Sequence, residues 1–494
     1  MTITSLLYVT AGLLACLLLK ILATRSPLSH IPGPWYTKYT SLVSIYQRFR
    51  GTKMIWIHEL HKKYGPVVRT EPTHSAFATA ADWERIYRVN SGFIKTPFYE
   101  RIRSGQNHML FTMIDTKQHA ARRKLFARSL TAETLRNNWE GEIRKIMEAG
   151  VQAIKKDALN GNADLPKWWK LTMSDVVTRL AFGQSFDMVE TGGKGENSAY
   201  FRALVDVTIL VVVSDVLPGI QTLAGLIPVK RVRQILNSGA IITKKGQIAV
   251  NNLRQDTSPG GKATLFSNML ALAAAVEEKG EERGDYQLSD DDIKSEAAGF
   301  IMAGLDSTAI AMAYLVWSVL RNRDIQQRLE AEVALLPDDF REKDLEGLTL
   351  LNNVIDETLR LYGPAAGPQM RLVPVGGFAS HGHHIPAGCT VTTQQWTRVR
   401  DENLFHDAEK FIPDRFNSIT PEQRRVAQPF GIGSRACIGI ALVRMELRLG
   451  AAIFFRECRG AKISNGMTDD MMAQRIRFFT TPKGGKCEIT LSDA

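Results

Sequence analysis

The sequence predicts a mainly α-helical fold with a minor β region, and three patterns carry that prediction. Residues 290–322 read as one helix, acidic in the first turn and followed by Arg321 and Arg323, as the charges of helix ends prefer. His119 and Arg123 stand four apart, and Glu357 and Arg360 three apart, so each pair shares a helical face. A short extended stretch supplies the β part: Val67-Val68-Arg69-Thr70 and Ser75-Ala76-Phe77-Ala78-Thr79, joined by Glu71-Pro72-Thr73, read as a hairpin.

With 494 residues, 44% hydrophobic and 23% charged, the chain can build one large domain or two to three ordinary ones. Its net charge of +11 points to an anionic surface or partner. No aromatic-interleaved basic cluster or zinc-finger spacing accompanies that charge, so no nucleic-acid partner is expected. The five cysteines are odd in number and widely spaced, which argues against a disulfide framework and for a reducing compartment.

Taken in order, the chain begins with 19 uncharged residues. Residues 3–23 would span roughly 30 Å as a helix, enough for one bilayer crossing. Lys20 and Arg25 follow the apolar run, so the positive-inside rule leaves the bulk of the chain cytosolic. Residues 1–24 are therefore expected to be a transmembrane signal anchor. A cleaved signal peptide is the alternative, but its basic residues should come first. Residues 25–40 contain Pro27 and Ile31-Pro32-Gly33-Pro34-Trp35 and read as a stiff hinge. Residues 41–494 are the expected catalytic domain.

Arg122 and Lys124 flank the His119/Arg123 pair and give a basic helical face. A second apolar stretch, residues 208–228, is broken by Asp215 and Pro218, which disfavours another membrane crossing. The middle of the long helix reads Ala303-Gly304-Leu305-Asp306-Ser307-Thr308. Such residues are poor helix formers and invite a local opening, with the Thr308 hydroxyl turned onto a carbonyl of the preceding turn. Apolar neighbours place the segment in the interior, where an unpartnered Asp306 carboxyl is costly. A functional role explains it better. His381, His383 and His384 sit in a short polar hairpin and read as a solvated turn rather than a metal site.

Residues 430–439, FGIGSRACIG, are the most specific signal. A glycine-rich loop ends at Cys437 and enters an amphipathic helix, whose N-terminal N–H groups favour an anion. Arg435 adds positive charge, and both effects should lower the thiol pKa toward the metal-ligating thiolate. Gly433 and Gly439 leave room for something flat. The loop also fits a G-x-G-x-x-A dinucleotide pattern, but Pro429 precedes it and no strand pattern follows. Free cysteines are often simply buried hydrophobes. Chance would produce F-x-x-G-x-R-x-C-x-G on the order of once in ten thousand such chains.

This loop resembles the haem-binding loop of the cytochromes P-450, the haem-thiolate monooxygenases, and the other motifs fall in that family's order along nearly the whole chain. The resemblance implies the cytochrome P-450 fold, preceded by one N-terminal transmembrane helix. It makes Cys437 the axial ligand of a haem b iron within a loop that includes Phe430, Arg435 and Gly439. His119, Arg123, Arg371 and Arg435 become haem propionate partners. Asp306 and Thr308 become an acid–alcohol pair that delivers protons to bound oxygen. Glu357, Arg360 and Arg415 become a buried structural trio, with Asp414 standing where glutamate is more usual. Phe98, Tyr99, Phe111, Phe300, Ala303, Ala365 and Ala366 become substrate-cavity residues.

The implied activity is a membrane-anchored monooxygenase of the endoplasmic reticulum acting on an apolar secondary metabolite, by hydroxylation, epoxidation or oxidative rearrangement. NADPH would supply electrons through NADPH-cytochrome reductase, with cytochrome b5 as a further donor. Arg122, Lys124 and Arg444 would meet an acidic reductase surface. The hinge and its IPGPW sequence look closest to fungal toxin-biosynthesis members. Two rivals stand beside this reading: an isomerase or dehydratase on the same fold without O2, and a membrane haem protein that only carries electrons.

Overall fold

The computed structural model describes residues 26–102, 108–216, 226–255 and 289–492, with Gly12 and scattered positions between 219 and 223 and between 264 and 271. Apart from Gly12, the expected anchor lies outside the described residues. The chain forms two compact units: residues 1–96 with 367–398, and residues 97–366 with 399–494.

The smaller unit is built on a five-stranded sheet. Its strands lie in the order Val67–Glu71, His74–Phe77, Thr390–Gln394, Pro368–Leu372 and Ile94–Lys95. The second and third are parallel and the other pairs antiparallel. The first two strands form a hairpin in which Val68 faces Ala76, and both side chains pack with Ile57 and Leu60 of the Lys53–Tyr64 helix. Over residues 26–40 the expected hinge is a fixed part of this unit. Leu28 and Ile31 are buried, and the guanidinium of Arg69 donates to the carbonyls of Leu28, Ser29, Ile31, Gly33 and Pro34 and to the Thr37 hydroxyl. Prolines keep residues 27–34 out of a helical ladder, and a 3-10 helix forms directly after them at Trp35–Lys38. The arginine on the first strand satisfies carbonyls that would otherwise be orphaned.

The larger unit is helical around one long helix, Asp290–Leu320. Ser289 and Asp292 close its N-terminus as a reciprocal capping box. The helix continues unbroken through Gly304, where no opening occurs. That glycine serves close packing instead: a Cβ there would lie 2.6 Å from Cγ2 of Val177, on the Leu165–Phe182 helix. Thr349–Tyr362 and Ile440–Glu457 pack against the same long helix. Short strands complete the unit: a sheet of Ala163–Asp164, Glu488–Thr490 and Lys462–Ile463, and a hairpin of Gln474–Ile476 with Thr480–Pro482. Among the described residues only Asp291–Leu320 is long and apolar enough to cross a membrane, and 72% of its apolar window is buried by surrounding protein. It is a core helix.

Candidate active site

The cysteine loop is shaped by two left-handed glycines, Gly431 at φ 72° and Gly433 at φ 74°, a region that disfavours other residues. The Cys437 N–H closes the loop on the Phe430 carbonyl at 2.9 Å. The helix begins at Ile440, with Gly439 as its N-cap, and the Gly439 N–H donates to the Cys437 sulfur. A Cβ on Gly439 would stand 3.9 Å from that sulfur. Solvent reaches Cys437, yet protein surrounds it closely, and burial raises the thiol pKa above its ordinary value. The Gly439 N–H and Arg123 pull it down only in part. The expected lowering does not hold for the protein alone, because desolvation outweighs both local positive charges.

Two arginines brace the loop. Arg123 Nη1 donates to the Ala436 carbonyl at 2.8 Å. Arg435 donates to the carbonyls of Met113, Ile114 and Asp115 at 2.8, 2.8 and 3.2 Å. His119 is buried on the Thr116–Ala127 helix that also carries Arg123. Arg371 belongs to the smaller unit, where its guanidinium lies 4.9 Å from the Tyr87 ring centroid.

On the long helix Thr308, the expected alcohol, turns inward, and the neighbouring Ser307 stays on the open side. Thr308 is fully buried, and its hydroxyl donates to Glu446 Oε2 of the Ile440–Glu457 helix at 2.9 Å. It faces the core and cannot serve the open side of the helix. Ser307, which the sequence reading passed over, is the hydroxyl that bonds back to the preceding turn, at 2.6 Å from the Ala303 carbonyl. Ala303 is exposed between half-buried neighbours, and Ser307 is partly exposed between the buried Asp306 and Thr308. Phe300, one turn earlier, is half-buried with its ring 4.6 Å from that of Phe126. Asp306 is buried, with Oδ1 2.7 Å from Lys170 Nζ of the Leu165–Phe182 helix. The partner that the sequence could not locate is that lysine.

Glu446 has a second oxygen, Oε1, with no hydrogen-bond partner among the described residues. Burial pushes its pKa up to about 8, against a smaller pull from Thr308. The folded protein then keeps a proton that the unfolded chain releases between the ordinary value of 4.5 and about 8, so stability falls as pH rises through that window. From about pH 5 to 7 the loss should reach about 2–3 kcal/mol. Glu446→Gln should flatten the pH dependence of the melting midpoint over this range. Glu296 and Asp164, pushed by burial to about 7 and about 6, contribute to the slope that remains.

Glu357 and Arg360 form a bidentate pair at 2.6 and 2.8 Å, both with fully buried side chains. Arg360 also donates to the carbonyls of Val399, Ala408 and Lys410. Arg415 Nε and the Ile412 N–H both donate to Glu357 Oε1, at 3.0 and 2.8 Å. Asp414 takes no part and pairs with Arg328 near the surface.

The aromatic candidates meet edge to face: Phe98 with Tyr99 at 5.2 Å and Tyr99 with Phe111 at 5.5 Å between centroids. Phe478, from the turn between Gln474–Ile476 and Thr480–Pro482, joins them 5.8 Å from Phe111. No sequence pattern flagged it. Of the two alanines after Gly363-Pro364, Ala365 is exposed but Ala366 is packed at 1% exposure. The turn sends adjacent side chains to opposite sides, so Ala366 is withdrawn as a cavity residue. Arg122 is corrected as well. It is buried against Glu296 and Asp292 and is no part of a docking surface, which leaves exposed Lys124 and half-buried Arg444.

The model of the Cytochrome P450 family matches residues 33–489. Cytochrome P450 monooxygenase stcB of Emericella nidulans is 37% identical, over 95% of this chain and 90% of its own length. Cytochrome P450 monooxygenase cypX of Dothistroma septosporum is 35% identical, over 99% of this chain and 96% of its own. The structure of retinoic acid bound cyanobacterial CYP120A1 matches with a TM-score of 0.71 at 19% identity, covering 88% of this chain and 93% of that one, a likeness of fold. With a cysteine loop of this geometry, a family match along most of its length and named monooxygenases similar from end to end, this chain belongs to the cytochrome P450 family and is a monooxygenase.

Proposed function

We propose that the chain inserts one oxygen atom from O2 into an apolar secondary metabolite, held at the endoplasmic reticulum membrane by residues 1–24 and reduced by NADPH through a flavoprotein reductase. The observation that carries the reading is Cys437, reachable by solvent with the Gly439 N–H on its sulfur. The family implies a haem-thiolate cofactor, and the residues present fit one. Cys437 offers a single soft sulfur that accepts the Gly439 N–H, in a loop whose Ala436 carbonyl Arg123 already holds. Cys437 would ligate the iron, and His119, Arg123 and Arg435 would hold the propionates.

Bound haem supplies the iron at which O2 is reduced and activated. This chain's own residues then manage protons and water. With haem bound, Cys437 would be the sulfur ligand and the Gly439 N–H would temper its charge. Ser307 is the hydroxyl assigned to hold oxygen or a water on the open face of the long helix. Asp306, charge-paired to Lys170 beside it, would relay protons inward from solvent.

Reconstitution with a reductase under isotopically labelled O2 tests the reading. One labelled oxygen should enter the product, and an unlabelled product would support the isomerase rival. Ser307→Ala should keep the thiolate-type carbon monoxide band yet lose coupling by about tenfold or more, as hydrogen peroxide. Thr308→Val should instead cost about 1–3 kcal/mol of stability, through the stranded Glu446, with coupling kept. The opposite pattern would return the alcohol role to Thr308.

A further inference from the structure

Glu296 is a buried carboxylate that the proton route does not use. It lies about two turns before Ala303 on the long helix, with its side chain 1% exposed. Its Oε1 accepts from the Leu110 N–H at 2.8 Å and from Arg122 Nη1 at 3.0 Å. Arg122 Nη2 also stands 3.4 Å from Asp292, one turn earlier.

Leu110 belongs to a tight turn. The N–H groups of Thr112 and Met113 both donate to the Met109 carbonyl, and the Thr112 hydroxyl accepts from the Met109 N–H. The turn is seated on the long helix a second time at Gly299. A Cβ there would lie 2.7 Å from Met109 Sδ and 3.4 Å from its Cβ, so the glycine gives the Met109 side chain the room in which it packs. Just beyond the turn, Arg435 holds the carbonyls of Met113, Ile114 and Asp115. The segment is thus fastened to the long helix at one end and to the cysteine loop at the other. Phe111 projects from between these fastenings. It is 43% exposed, and its ring meets Tyr99 and Phe478, which come from two other segments.

We infer that Glu296 is a positioning residue for substrate choice: by holding the Leu110 N–H it fixes the turn that carries Phe111, and so sets the aromatic group that an apolar substrate meets. No other acceptor for the Leu110 N–H is seen among the described residues, and a buried N–H without one is costly. A carboxylate also meets the requirement that buried Arg122 be paired. The docking of the turn stands on geometry alone, while its link to substrate choice rests on the monooxygenase reading.

The test uses the full-length, haem-loaded protein. Glu296→Gln keeps an amide oxygen for Leu110. The double variant Arg122→Leu/Glu296→Leu removes the acceptor, and Asp292, which loses Arg122, keeps its Ser289 capping partner; such an exchange of a buried ion pair for apolar side chains is often tolerated. Hydrogen exchange over residues 109–113 should quicken about tenfold in the double variant and stay near wild type in Glu296→Gln. Phenylimidazole affinity, read from the haem spectrum, should shift about fivefold in the double variant, with imidazole unchanged as the small-ligand control. Unchanged exchange in the double variant, or equal shifts for both ligands, would overturn the inference. A wild-type protein without the thiolate-type carbon monoxide band would sink the monooxygenase reading instead, and the exchange result would still decide the docking.

Discussion

Cys437→Ser should abolish the thiolate-type carbon monoxide band and reduce turnover to background, while the helical content of the protein stays as it is. The loop's shape does not depend on the sulfur. It is set by left-handed Gly431 and Gly433, by the Cys437 N–H on the Phe430 carbonyl, and by Arg123 and Arg435 on backbone carbonyls. A serine fits this frame and accepts from the Gly439 N–H. What disappears is the soft, electron-donating ligand, since an alcohol is a poor substitute for a thiolate at iron. Circular dichroism and the reduced carbon monoxide spectrum separate the two effects. A serine variant that kept the thiolate-type band would remove Cys437 from the ligand role.

Glu357→Ala should cost about 3–5 kcal/mol and prevent recovery of folded, haem-loaded protein. Glu357 accepts from Arg360 Nε and Nη2, from Arg415 Nε and from the Ile412 N–H. Alanine removes every one of these acceptors and leaves the Arg360 charge fully buried. Domains are stable by only about 5–15 kcal/mol, so the loss takes a large share of that margin. Asp414→Ala is the matched control, at the residue next to Arg415. Its pair with Arg328 is exposed on both sides, and an exposed pair is worth about 1 kcal/mol or less. Thermal melts and haem content of the purified variants measure both. Similar melting midpoints for the two variants would contradict a keystone role for Glu357.

What could be read from the sequence was what is local in it. The cysteine loop is ten consecutive residues, and its glycines and thiol act on one another through the backbone they share, while its Arg435 reaches out to residues 113–115. Glu357 and Arg360 are one helical turn apart, so their pairing needed only a helix. Rotation about a helix was not legible. Ser307 and Thr308 differ by about 100° around the axis, and which one turns inward depends on Glu446, 138 residues away. Arg122 looked like a surface charge because Glu296 lies 174 residues further on. Phe478 was missed because nothing near it in the chain marks the turn that carries it to Phe111. In each case the deciding partner arrives only when the chain folds.

Arg69 has a practical bearing on where the chain can be shortened. A cut placed after the proline run, near residue 40, would look safe from composition alone. It would strip a fully buried guanidinium of the carbonyls of Leu28, Ser29, Ile31, Gly33 and Pro34 together. Shortened versions should therefore keep Ser26, whose hydroxyl donates to the Pro72 carbonyl. Any cut belongs ahead of that serine and of the prolines that follow it.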